Sequence, residues 1–223
     1  MRGEHELMAP TGPGQAQRID DYEPSAGGVI YLRGLSRWQA EDQREEIADL
    51  YVESSPVTAG DEYDSRAAFL HRLTEDVRRP GFDMLIAEAT VSGEAPVLVG
   101  AVFGCPVARD GGWWQGFRGT LPPHIDQLTA SGHVFAITDV VVHRAERDRG
   151  LAGRLQHRLI TDHQSSLGVT TVPASNRAVL AAFQGWGWQD VGEIVRPPRE
   201  FDDTPPVTLR ALSFPLPEPS PAV

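Results

Sequence analysis

A single mixed α/β domain is predicted by three features of the chain. A strand runs through a turn into an amphipathic helix, a second strand follows that helix, and two apolar runs upstream are spaced as a hairpin. Val134 to His143 is β-branched and apolar, broken by one carboxylate at Asp139, and reads as a buried strand. Leu151, Leu155 and Leu159 then recur every fourth residue, which places them on one helix face. Val169 to Val172 is a strand again, so strand, helix and strand make a parallel β-α-β unit.

The other elements follow from the N-terminus. Residues 1–27 hold Gly, Pro and charge without periodicity and are expected to be a flexible arm ahead of a domain over 28–215. Val29 to Leu32 is a short strand. Ser36 with Gln39 forms a capping box, and the helix it opens has Ile47, Leu50 and Tyr51 on its apolar face. After the loop SSPVTAGDEYDS, Phe69, Leu73 and Val77 mark a second helix that Pro80-Gly81 ends. Asp83 to Val91 and Pro96 to Val107 form the hairpin, with Ser92 to Ala95 as its link.

Ala108 to Gly132 reads as a long irregular stretch. Its Trp113, Trp114 and Phe117 are expected to pack on the domain, line a substrate pocket or meet a second subunit. A helix after Asn176 and strands over Trp188–Val195 and Val207–Phe214 complete the order β-αα-βββ-α-β-α-ββ, about seven strands in all. Residues 216–223 are a proline-rich tail.

Composition narrows the function classes. The 223 residues are 40% apolar and 23% charged, enough for one sizeable core. No apolar window of about eighteen residues occurs, so no membrane span is expected, and the N-terminus lacks the apolar run of a secretory signal. The one cysteine, Cys105, excludes an internal disulfide, fits a reducing cytoplasm and reads as a buried structural thiol. A net charge of −11 argues against nucleic acid as a partner. The histidines and the cysteine lack metal-ligand spacing, so no metal is expected. No G-x-S-x-G elbow is present, which disfavours a serine acyl hydrolase.

The turn between the central strand and its helix carries the chemistry. A helix N-terminus offers unpaired N–H groups and a positive dipole end, and small residues there admit an anion to the main chain. The Walker lysine is missing, and Gly150-Leu151-Ala152-Gly153 does not supply the G-x-G-x-x-G spacing of a dinucleotide fold. Arg147-Asp148-Arg149-Gly150-Leu151-Ala152 has the pattern R-x-x-G-x-A. It resembles the pyrophosphate-binding signature, Q/R-x-x-G-x-G/A, of the GNAT superfamily of acyl-CoA-dependent N-acetyltransferases. Downstream, Asn176, Gly187 and Trp188 match in register that family's N-x-x-A-x-x-x-Y-x-x-x-G-F. Val179 stands at the alanine and Phe183 at the tyrosine.

The resemblance covers residues 133–195 and implies a strongly twisted mixed sheet flanked by helices. It also implies acetyl-CoA as cofactor, a primary amine of a small molecule or peptide as acceptor, and a possible homodimer. Such a transfer must hold the cofactor, polarise a thioester carbonyl, deprotonate an ammonium and protonate a thiolate. The main chain of Arg147 to Gly153, with Arg147, Arg149 and Arg154 adding charge, is the expected cradle; Asp148 lies within it. Pantetheine is expected beside the central strand, with Val140, Val141 and Val142 as the place where a bulge or splay frees an N–H. Asn176 and Phe183 are expected beside the cofactor too, Asn176 doubling as a helix cap. Asp139 is the candidate base, since a carboxylate in a buried strand needs a reason and burial raises its pKa. Relatives often carry glutamate nearby, where Thr138 and Ile137 stand here. His133 and His143 are lesser candidates, expected to be exposed. No residue offers itself as the acid, because Phe183 has no proton to give. A catalytically silent acyl-CoA-binding module, and a tailoring enzyme using another acyl-CoA, are the alternatives.

Overall fold

The computed structural model describes residues 29–54, 62–90, 95–163, 165–197 and 206–216, apart from the side chains of 62–64 and 148. The expected arm, the hairpin link and most of the tail lie outside those residues. The capping box forms with both bonds: Gln39 N–H donates to the Ser36 hydroxyl, and Ser36 N–H donates to Gln39 Oε1 at 2.9 Å. The helix it starts is two pieces, α1 (Arg37–Asp42) and α2 (Arg44–Ser54), hinged at Gln43. Ile47 and Leu50 are buried as the spacing requires, and Tyr51 stacks on Phe69 of α3 (Glu62–Val77).

Strands β1 (Val29–Leu35), β2 (Asp83–Thr90) and β3 (Val97–Pro106) form an antiparallel meander. Beyond it come α4 (Pro123–Ser131), β4 (Val134–Val142), α5 (Leu151–Asp162) and β5 (Leu167–Pro173). The described chain ends with α6 (Arg177–Gly185), β6 (Gln189–Arg196) and β7 (Val207–Pro215). One seven-stranded sheet results, in the order β1-β2-β3-β4-β5-β7-β6, parallel at β4–β5 and antiparallel elsewhere. The fold class read from the sequence is the observed one.

The stretch 108–132 is not irregular throughout. It holds α4, with Pro123 in its first turn and Gly132 at φ 79° as its C-cap. Proline before and glycine after were the sequence signals for it. The aromatic loop ahead of α4 lies along the outer edge of β6: Arg118 N–H donates to Glu193 O and Val195 N–H to Gly116 O. That pairing hides strand groups that would otherwise invite another chain.

The sheet separates its cores. Leu151, Leu155 and Leu159 of α5 fill one face with Phe135, Ile137, Phe183 and Trp188. The other face holds a core under α1–α3 around Phe69 and Phe103, and another under α4 around Trp114, Ile125 and Ile194. Cys105 is buried as expected, and burial pushes its thiol up to about 11.

Candidate active site

The middle of β4 aims the site. Phe103 pairs with Asp139 and the next residue, Gly104, with Ile137, so Thr138 is an extra residue, a β-bulge. It inverts the direction of the side chains. Phe135 and Ile137 belong to the core under α5, and Val142 returns to it, whereas Val141 lies in the core under α1–α3. Plain alternation would send Asp139 the same way as Ile137, into the α5 core. Instead its Oδ2 lies 3.7 Å from Nη2 of Arg72 on α3. Gly104 makes room for the bulge, since a Cβ there would stand 2.0 Å from the Ala136 carbonyl oxygen.

Burial pushes the Asp139 carboxyl up to about 6, opposed by the Arg72 cation and the Val140 N–H and reinforced by Asp76. Its side chain keeps 24% exposure, which leaves a route for a proton to solvent. Arg72 lies 5.8 and 5.7 Å from the ring centres of Tyr51 and Phe69, themselves stacked 4.3 Å apart. Near-equal distances to two nearly parallel rings put the guanidinium at their edges, so it gains packing more than attraction to a ring face.

β4 and β5 pair only at Val134↔Leu167, Phe135↔Gly168 and Ala136↔Val169. Thr170 Oγ1 donates to the Ile137 carbonyl at 3.0 Å, closing the apex, and from there β5 stays with β7. The strands therefore part. His143 N–H donates to Val99 O at 2.9 Å, so by antiparallel alternation Val141 turns its backbone to β3. Val140 and Val142 direct their N–H groups to the side that β5 has left. Of the three valines expected to bond a ligand through the main chain, two face the opening.

The cradle lies at the end of β4. Arg144–Arg149 form a 3-10 turn capped by His143, whose Nδ1 accepts the Ala145 N–H at 3.3 Å. His143 is buried rather than exposed, because it serves this cap. Gly150 at φ 70° swings the chain into α5. Arg154 N–H bonds back to Gly150 O at 3.1 Å, so the N–H groups of Leu151, Ala152 and Gly153 have no partner within the helix. Arg149 Nη1 lies 3.4 Å from Oε1 of the fully buried Glu146, which ties that arginine to the turn. Arg147 and Arg154 are exposed, and the side chain of Asp148 is outside the described residues.

Neither a protein-family model nor a curated protein sequence matches the chain. Solved structures match its backbone. NAA60 from Arabidopsis thaliana, solved with a bisubstrate analogue, superposes with a TM-score of 0.55 at 13% identity, over 85% of this chain and 100% of that one. A GNAT-family protein from Desulfovibrio desulfuricans gives 0.52 at 10% identity, over 84% and 99%. A chimera of Vibrio cholerae spermidine N-acetyltransferase and hSSAT gives 0.50 at 12% identity, over 83% and 95%. The fold is the GNAT fold.

Within this GNAT fold the other expected residues take definite places. Asn176 caps α6, its Oδ1 accepting the Val179 N–H at 3.2 Å, and is exposed. Phe183 is buried, its ring 5.2 Å from Trp186 and 5.3 Å from Trp188. Trp114 is a core residue whose indole N–H donates to Thr129 Oγ1 at 3.0 Å; Trp113 and Phe117 pack against it and stay partly exposed. Packing on the domain, one of the outcomes expected for that loop, is observed.

Four residues of the site were not singled out from sequence: Gly104, Arg72, Thr170 and Gln156. A glycine inside an apolar strand was a signal for the bulge. Gln156 carried a signal as well, an amide at helical spacing from Ala152 and Ile160 in an otherwise apolar stripe. It is 1% exposed, and neither its Oε1 nor its Nε2 has a hydrogen-bond partner. Arg72 and Thr170 carried none, since their roles come from residues distant in the chain.

Proposed function

We propose that this chain is an N-acetyltransferase that moves an acetyl group from acetyl-CoA to a primary amine of a small molecule or peptide. The observation that carries this reading is the parting of β4 from β5, with a bare helix N-terminus at one end of the opening and the Asp139 carboxylate at its wall. Bound there, acetyl-CoA supplies an activated acyl group as a thioester. The N–H groups of Leu151 to Gly153, with Arg147, Arg149 and Arg154 around them, fit a diphosphate. Gly153 has no Cβ, and Trp186 packs over it, its ring edge 3.3 Å from where a Cβ would stand. The Val142 N–H fits a pantetheine amide or the thioester oxygen, whose developing charge it would stabilise, while the Val140 N–H is engaged by the Asp139 carboxylate.

Asp139 takes a proton from the acceptor ammonium, freeing the nitrogen lone pair for attack on the thioester carbon. The C–N bond forms as the C–S bond breaks; the nitrogen gives up its second proton through water to the departing thiolate, because Phe183 has none to give, and Asp139 releases the first proton to solvent. The buried Phe183 favours a second reading, a silent acyl-CoA-binding module. Turnover decides between them: release of free thiol from acetyl-CoA that depends on an added amine supports the enzyme. Tight binding with no release across a panel of polyamines, aminoglycosides and lysine peptides would leave the silent module.

We assign the partly exposed Trp113 and Phe117 to the acceptor pocket wall. Trp113→Ala should raise the acceptor KM and spare that of acetyl-CoA; unchanged acceptor kinetics would remove the loop from the pocket.

A further inference from the structure

Helix α3 sets one guanidinium beside the Asp139 carboxyl. Arg72 Nη2 lies 3.7 Å from Asp139 Oδ2, an ion-pair distance too long for a hydrogen bond. No other described residue accepts a hydrogen bond from that side chain, which keeps 41% exposure. Arg66, six residues earlier on α3, shows the contrast: its Nε is 2.7 Å from Asp49 Oδ1 and its Nη2 2.8 Å from Glu45 Oε2. Arg72 is held all the same, its guanidinium packed against Tyr51 and Phe69. A cation fixed by packing, with its forked donors unspent, is prepared for an anion. It also stands where the acceptor must come. An ammonium within reach of Asp139 meets Arg72 as well, and like charges that close repel. Further amines on the acceptor would add to the repulsion, whereas a carboxylate on it would reverse the sign.

We infer that the acceptor is a free amino acid, its α-carboxylate gripped by Arg72 while its ammonium faces Asp139. The inference rests on the acetyltransferase reading and names the acceptor for it. One carbon joins the two charged groups of an α-amino acid, so they lie as close together as the 3.7 Å pair that receives them. Carboxylate and guanidinium are both planar and match with two parallel bonds. Of the groups facing Asp139, the Arg72 cation and the Val140 N–H favour its ionised form, and Asp76 opposes it. A bound carboxylate neutralises Arg72, which makes Asp139 a stronger base once the right acceptor is seated. The transfer keeps its balance. Asp139 takes the first ammonium proton, the C–N bond forms as the C–S bond breaks, and the second proton passes through water to the thiolate. The product is an N-acetylamino acid whose carboxylate is untouched.

Acceptor pairs that differ only in the carboxylate test this, and they extend the acceptor panel to free amino acids. Phenylalanine and phenethylamine, tyrosine and tyramine, leucine and isoamylamine, and histidine and histamine are each assayed with acetyl-CoA for thiol release. For the preferred side chain, the amino acid should exceed its decarboxylated partner in kcat/KM by roughly ten- to hundredfold. Arg72→Gln should remove most of that preference by raising the amino-acid KM and sparing the amine's. Arg72→Lys, which keeps the charge without the fork, should restore part of it. With an amine acceptor, the inflection of kcat/KM against pH should move upward in Arg72→Gln, since the cation no longer favours ionised Asp139. Equal use of both partners, or a preference that Arg72→Gln leaves whole, overturns the carboxylate site. Saturation-transfer NMR with the same amino acids keeps the two readings apart. Binding that Arg72→Gln abolishes, with no acetyl transfer, supports the carboxylate site and removes the transferase. Amine-dependent turnover that is indifferent to Arg72 does the reverse, and neither binding nor turnover overturns both.

Discussion

The proposed chemistry turns on the single carboxyl group of Asp139. Its pKa of about 6 lies above the ordinary 3.8, so ionising it opposes folding. Stability is free of that penalty below about pH 4, declines as pH rises from there to about 6, and stays reduced above. Asp139→Asn should therefore raise folding free energy at pH 8 by on the order of 2 kcal/mol, with no gain at pH 4. Denaturant titrations at the two pH values measure it, and a uniform loss would mean that the carboxylate is structural. The same change should lower kcat by roughly a hundred- to ten-thousandfold. In the wild type kcat/KM should climb to a plateau above pH 6; if the Asn variant keeps that inflection, the base is another group. Sequence singled out Asp139 because a charge in an apolar strand stands out. Arg72 did not stand out, since an arginine on a helix is ordinary until the fold sets it 3.7 Å from a carboxylate.

At the scale of the element, β4 does its work through an irregularity. The bulge at Thr138 is why Asp139 faces α3 and not the leucines of α5, and it exists because β3 has no side chain at Gly104. Gly104→Ala should cost about 3 kcal/mol and should drop activity further than the stability loss explains, as Asp139 loses its aim. Chemical denaturation and single-turnover rates on the folded fraction test the two parts; full activity per folded molecule would detach the bulge from the site. Helix α5 was readable in outline, as its three leucines and small first turn predicted both its buried face and its exposed N-terminus. Helix α4 was passed over although Pro123 and Gly132 bracketed it, because its sequence has few apolar residues at helical spacing.

For the whole molecule, the proposed reading couples ligand to fold. The opening between β4 and β5 is a place where a sheet forgoes its hydrogen bonds, and the proposed cofactor would restore one at Val142. Acetyl-CoA at a hundredfold excess over its Kd should stabilise the protein by about 2.7 kcal/mol, a rise in Tm of roughly 5–10 °C. Thermal scans with and without the thioester check it, and no shift at saturating ligand would argue against the cleft as its site. No helix among the described residues is long and apolar enough to cross a membrane.

Local chemistry determined much about this chain by itself. Periodicity, capping residues and turn glycines predicted the fold class and nearly every element, and the turn proposed as a phosphate cradle stood out because its residues are neighbours in sequence. The tertiary structure alone decided which way Asp139 points, where β4 and β5 part, and that Gln156 is sealed without a partner. Those outcomes depend on register and on contacts between distant segments. A one-residue shift in pairing reverses every side chain of a strand, and no local pattern in this sequence records such a shift.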